Sequence, residues 1–290
     1  MMDYGVFKQV ISERIKDFLP PVFHTYEVNI TIVRKINQKK EALLLMPPKD
    51  ERITAMPNIY LDEMYEAFQS KQDIEEVLRL IAAMIIHYTG SFDAQQVNLD
   101  FKSKKDSIVM NLINRELNQE LLQTVPHKDV MDLSIIYRII MEQDDSGLAT
   151  ILVDNHILEE LEISEKELEE LAHANTGRLF PIEIFKLSDL LYVMTNELKV
   201  HGATAMMYSQ AIDVLAEKIG GSFFVIPSSI HEIMAVPEWQ IDAETLACML
   251  EDGNRLCCLE EEVLSSAIYH YDKDTKTFTM AASYEELAAS

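Results

Sequence analysis

Apolar positions in the first 90 residues change period several times. Phe7, Val10, Ile11, Ile15, Phe18 and Leu19 recur at helical spacing until Pro20-Pro21, which predicts a helix over about 4–18. From Tyr26 to Ile36, Val28, Ile30 and Ile32 alternate with polar neighbours, the pattern of a half-buried strand. Polar Asn37-Gln38-Lys39-Lys40 then separates it from a second strand at Ala42–Met46. A third short strand is expected at Arg52–Met56, ending at Pro57. After Asn58, Tyr60, Leu61, Met64, Tyr65 and Phe68 share a helical face. A further helix is predicted from Ile74 to about Tyr88, with Asp73 and Glu76 at capping-box spacing.

Periodicity fades between Phe92 and Lys105, the candidate boundary. The expected organisation is a helix–meander–helix region over 1–95 and a strand-rich α+β region over 106–290, closely packed. Strands are predicted at Ser107–Ile113, Leu133–Met141 and Leu148–Val153, the last two joined by the turn composition Gln143–Gly147. A short helix is expected at Arg115–Gln123. Ser164-Glu165-Lys166-Glu167 reads as a capping box opening an acidic helix to about Ala174. Further strands are expected at Pro181–Lys186, Leu190–Thr195, Gly202–Tyr208, Ser222–Ile226, Glu232–Val236, Ala267–Tyr271 and Thr277–Ala281. Helices are expected at Gln210–Ile219, capped by Ser209 and closed by Gly220-Gly221, and at Ala243–Leu250, capped by Asp242 and ending near Gly253. Short turns between strands and irregularly interposed helices predict an α+β fold with mostly antiparallel sheets.

Composition narrows the function classes. The chain has 290 residues, 48% hydrophobic and 26% charged, with 8 Gly and 9 Pro, which excludes low-complexity and collagen-like proteins. Its 25 basic and 49 acidic side chains give a net charge of −24. Residues 1–150 hold 17 basic and 23 acidic groups, net −6; residues 151–290 hold 8 and 26, net −18. Such a surface repels phosphate backbones and disfavours direct nucleic-acid binding, while it would steer a basic protein partner. Cys248, Cys257 and Cys258 are too few and too clustered for a disulfide framework, so reduced thiols in a cytoplasm are expected. The apolar run Val77–Ile86 falls short of a membrane span, and residues 1–21 lack the apolar stretch of a signal peptide.

Candidate chemistry concentrates in Phe223–Glu238, where Ser228, Ser229, His231 and Glu232 sit together. A hydrolase would use a serine as nucleophile and His231 as base. No GxSxG elbow surrounds them, and the spacing Ser229-Ile230-His231-Glu232 better suits a cap or a turn. Asp154 and His156, with His173 on the neighbouring helix, form a low-order seed for a metal site. Asp189 with Glu197-Leu198-Lys199 matches the bare letters of a Mg²⁺ nuclease, in the half of the chain that repels its substrate. No GxxxxGK[ST] or GxGxxG loop is present, and no cofactor is expected.

PNIYLDEMYEAF (57–68), VPHKDVMDLSIIY (125–137), and the passage from Leu191 to Glu238 containing Thr195-Asn196-Glu197, Gly202-Ala203 and IPSSIHE resemble an uncharacterised bacterial family built on a domain of unknown function, common in gut anaerobes. The resemblance spans about Asp3 to Thr279. It implies one full-length family arrangement of bacterial cytoplasmic origin and carries over no catalytic residues. Three expectations follow. The first is a non-catalytic binding or interaction protein. The alternative is a hydrolase or metal-dependent enzyme built on the Ser-Ser-Ile-His-Glu loop. The third is an acidic mimic of DNA.

Overall fold

A computed structural model describes residues 2–48, 56–91, 100–144 and 147–289. The chain divides into two compact units, one of residues 1–35 and 39–99, the other of residues 36–38 and 100–290. The fold is α+β, and its strands pair antiparallel.

In the first unit, α1 (Tyr4–Arg14) is followed by β1 (Glu27–Lys35), β2 (Gln38–Met46) and β3 (Ile59–Tyr60), and then by α2 (Leu61–Lys71) and α3 (Ile74–Ser91). Helix α1 starts where the Asp3 carboxylate accepts the Val6 N–H at 2.9 Å. Phe7 and Ile11 from α1 pack with Leu43 and Leu45 from β2, Phe68 from α2 and Ile81 from α3. The Phe7 ring lies 5.2 Å from Tyr65 and 5.7 Å from Phe68. The strand expected at Arg52–Met56 lies outside the described residues apart from Met56, which is not in a strand.

The second unit begins with β4 (Ile108–Asn114), α4 (Gln119–Leu122), β5 (His127–Val130), β6 (Leu133–Asp144) and β7 (Gly147–Leu152). These strands form a sheet in which β6 pairs with β4, β5 and β7. Next come α5 (Asn155–Leu161) and α6 (Glu165–Leu179). The box at the start of α6 closes reciprocally: Glu167 N–H donates to Ser164 Oγ at 3.3 Å, and Ser164 N–H donates to Glu167 Oε2 at 2.9 Å.

The remaining elements are β8 (Ile182–Ser188), β9 (Leu191–Asn196), α7 (Ser209–Ile219), β10 (Phe223–Ser229), β11 (Glu232–Pro237), α8 (Ala243–Cys257), β12 (Ala267–Asp272), β13 (Thr277–Ser283) and α9 (Tyr284–Ala289). Six strands make one sheet in the order β13-β12-β10-β11-β9-β8. Strand alternation sends Phe224, Ile226 and Val236 to one face, where Leu246, Ala247 and Leu250 of α8 cover them. Tyr271 serves the opposite face, and its hydroxyl donates to Asp213 on α7 at 3.0 Å.

Three expectations are corrected. Gly202–Tyr208 is not a strand; Gly202–Met207 forms a 3-10 helix. Its first five residues are all buried, so the run shows no period that separates strand from helix, and Ala and Met favour helix. Tyr208 rather than Ser209 stands at the N-cap of α7, without a side-chain cap bond. Helix α8, capped by the Asp242 carboxylate at 2.7 Å from the Thr245 N, continues through Gly253 to Cys257, and the Cys258 N–H donates to the Gly253 carbonyl at 3.2 Å; glycine inside a helix costs stability without ending it.

Candidate functional site

Two walls enclose a cleft of about 410 Å³ in the second unit. The first is the hairpin β10–β11. Ile226 faces Met234 across the ladder and Ser229 faces Glu232, with a register shift between Ile226 and Ser229. Alternation therefore brings Ile226, Ser228, Glu232 and Met234 to the α8 side of the sheet. The second wall is α8, which presents Leu246, Met249, Leu250, Gly253, Asn254 and Cys257. These positions recur at three- and four-residue steps, one helical face. Cys258 and Glu262 complete the lining.

Gly253 matters to the space. Nothing lies within 4 Å of where its Cβ would stand, so the missing side chain leaves the cleft wide at mid-helix. A glycine there costs the helix about 1 kcal/mol relative to alanine.

The hairpin tip is held by a dense polar network. Ile230 N–H donates to the Glu262 carbonyl at 2.9 Å, and Ala203 N–H donates to the Ile230 carbonyl at 3.2 Å. Thr195 Oγ1 donates to the His231 carbonyl at 2.7 Å. The side chain of Asn196 bridges both backbone groups of Val200, at 2.8 and 3.3 Å. Gly202 sits where no side chain fits: a Cβ would stand 2.5 Å from the His231 carbonyl oxygen, 2.8 Å from Asn196 N, and closer still to Thr195 Oγ1.

This network settles the proton on His231. Its Nδ1 accepts the His201 backbone N–H at 3.2 Å, so the neutral ring carries hydrogen on Nε2, which faces Glu262 Oε1 at 3.2 Å. Both nitrogens are engaged, and the neutral ring has no lone pair left to receive a serine proton. Ser229 Oγ accepts the His231 N–H at 3.0 Å, and Ser228 Oγ donates to the Glu232 carbonyl at 3.3 Å. The spacing that resembled a capping box thus makes a hairpin turn. Burial, then Glu262 and Cys257, raise the Cys258 thiol above its ordinary value and keep it protonated.

His201 lies behind the hairpin in left-handed backbone, φ 52°. Burial pushes its imidazole down to about 4, and nearby His231 and Arg138 push the same way. Its Nδ1 is buried without a hydrogen-bond partner.

Two carboxylates of the cleft keep oxygens free, and one amide oxygen of a lining residue is buried unpaired. Glu232 has no side-chain hydrogen bond or ion pair among the described residues. Asn254 Nδ2 donates to the Ser265 carbonyl at 2.9 Å, which fixes the amide's orientation and leaves Oδ1 buried with no donor. Glu262 has its second carboxylate oxygen to spare.

A family profile matches residues 4–191 and 188–273. The chain belongs to a family of unknown function, DUF5688. No curated protein and no solved structure matches it.

Ser228, Ser229 and Glu232 thus share one cleft, with His231 behind its rim. The other sequence candidates are engaged separately. Asp154 is the N-cap of α5, accepting Ile157 N–H at 2.8 Å. His156 faces Glu160 at 3.3 Å on the same helix, and the His173 ring packs 4.5 Å from Tyr208. Among the described residues, no three His, Cys, Asp or Glu side chains gather as a metal site would need. Asp189 pairs with Lys186 at 2.9 Å. Sequence reading missed Asn254, Glu262 and His201. The step of α8 from Leu246 to Cys257 is the signal that could have placed Asn254 beside the hairpin.

Proposed function

We propose that this chain is a non-catalytic binding protein whose cleft takes a ligand with an apolar stem and a cationic, hydrogen-bond-donating head. The observation that carries the reading is the chemistry of the cleft's spare oxygens. Glu232 and the second oxygen of Glu262 both accept, while Ile226, Met234, Leu246 and Met249 line the apolar part of the cleft. Ammonium and guanidinium groups supply only donors and carry the complementary charge. Methionine adapts to stems of varied shape. Serine hydroxyls and His231 nitrogens bonded within the fold support binding over nucleophilic attack.

Hexylammonium and hexanoate are matched probes for isothermal titration. Hexylammonium is expected to bind and hexanoate is not. Glu232→Gln should weaken hexylammonium about fivefold or more, near 1 kcal/mol. Gly253→Leu, which fills the cleft from α8, should abolish it. Equal uptake of both probes, or binding indifferent to both substitutions, would overturn the proposal.

A further inference from the structure

From Met249 at the cleft's edge, apolar surface continues to Leu256 and Leu259, which a small amine in the cleft would leave in water. Leu256 is 71% exposed, Leu259 60% and Met249 59%. Met249 and Leu256 stand seven residues apart on α8, two turns and about 10 Å along one face. Next to them in sequence the charge is one-sided: from Met249 to Glu262 the chain has Glu251, Asp252, Glu260, Glu261 and Glu262 against a single base, Arg255. Arg255 itself is paired with Asp252 at 3.0 Å. An apolar strip beside a negative cleft complements a segment carrying leucine-like residues two turns apart with lysine or arginine beside them.

We propose that the natural occupant is a basic amphipathic helical segment of a partner protein, which inserts one Lys or Arg side chain into the cleft and lays its apolar face on Met249, Leu256 and Leu259. The inference rests on the binding reading above and adds the partner's class. The aliphatic stem of the inserted side chain meets Met234 and Leu246, and its head reaches Glu232 and Glu262. A helix seated there would cover the exposed side chains of Met249, Leu256 and Leu259.

The test uses the full chain and a fluorescein-labelled 14-residue peptide of leucine and lysine in amphipathic helical order, with a scrambled peptide of equal composition. Polarisation should show the ordered peptide binding at least tenfold more tightly than the scrambled one. Glu232→Gln and Leu256→Ser should each weaken it at least fivefold. Alkylation supplies a positional readout, because Cys257 lines the cleft while Cys248 lies exposed on the solvent side of α8. The ordered peptide should slow iodoacetamide modification of Cys257 at least fivefold and leave Cys248 unchanged. Equal binding of both peptides, indifference to both substitutions, or an unprotected Cys257 would overturn the inference. Hexylammonium binding without ordered-peptide binding would sink the partner class alone; loss of both would sink the binding reading as well.

Discussion

His201 provides a stability switch whose size follows from its surroundings. In an unfolded chain its ring takes up a proton near pH 6.5. In the folded protein burial delays that to about 4, with His231 and Arg138 acting in the same direction. Between those values the unfolded state holds the extra proton. Stability is therefore full above about pH 6.5 and falls as pH drops toward 4. The full gap corresponds to about 3 kcal/mol, of which about 2 kcal/mol is lost by pH 5. Carboxylates titrate in the same region, so the informative quantity is a difference between proteins. His201→Asn suits the position, since asparagine tolerates left-handed backbone. Urea unfolding at pH 7.5 and pH 5 can be followed by far-ultraviolet circular dichroism, since the single tryptophan, Trp239, is already 71% exposed in the folded chain. The wild type should lose about 2 kcal/mol more than the variant between the two pH values. Equal losses, within about 0.5 kcal/mol, would refute the buried-neutral assignment.

Three further outcomes follow from the packing. Gly202→Ala should destabilise the second unit by about 3 kcal/mol or more, from overpacking against backbone and loss of the Thr195–His231 bond, visible as a lower urea midpoint by circular dichroism. Gly253→Ala should move the same midpoint upward by about 0.5–1 kcal/mol, because space is open and helix propensity rises; destabilisation would show that the space is filled. Ser164→Ala should cost about 1 kcal/mol through loss of the α6 capping box, measured by thermal unfolding under circular dichroism.

Local chemistry made much of the fold legible. The Ser164 and Asp242 caps have short-range causes and their helices begin there; the alternation of β1 places the strand, although Ile30 and Ile32 stay exposed and its apolar face is not covered as a half-buried strand would be. β5 escaped notice because it is a four-residue, largely exposed strand without an alternating apolar face. α5 was hidden because Asp154 and His156 read as ligands, whereas Asp154 serves as a cap. The candidate site was half legible. Its serines and Glu232 are adjacent in sequence, but Asn254 and Glu262 reach the same cleft only through the packing of α8 and the turn at Glu260–Glu262. His201 was missed for a related reason: its burial comes from folding, and its neighbours in sequence do not announce it.

The central claim, a cleft between α8 and the β10–β11 hairpin that selects a cationic head on an apolar stem, can be tested at its own walls. Methyl spectra of protein labelled with ¹³C at methionine resolve the claim by position, because Met234 and Met249 line the cleft while Met206 is buried in the 3-10 helix. Hexylammonium should shift Met234 and Met249 in a saturable manner and leave Met206 in place, and hexanoate should move none of them. Unmoved Met234 and Met249 signals under hexylammonium, or equal shifts with both probes, would contradict the account.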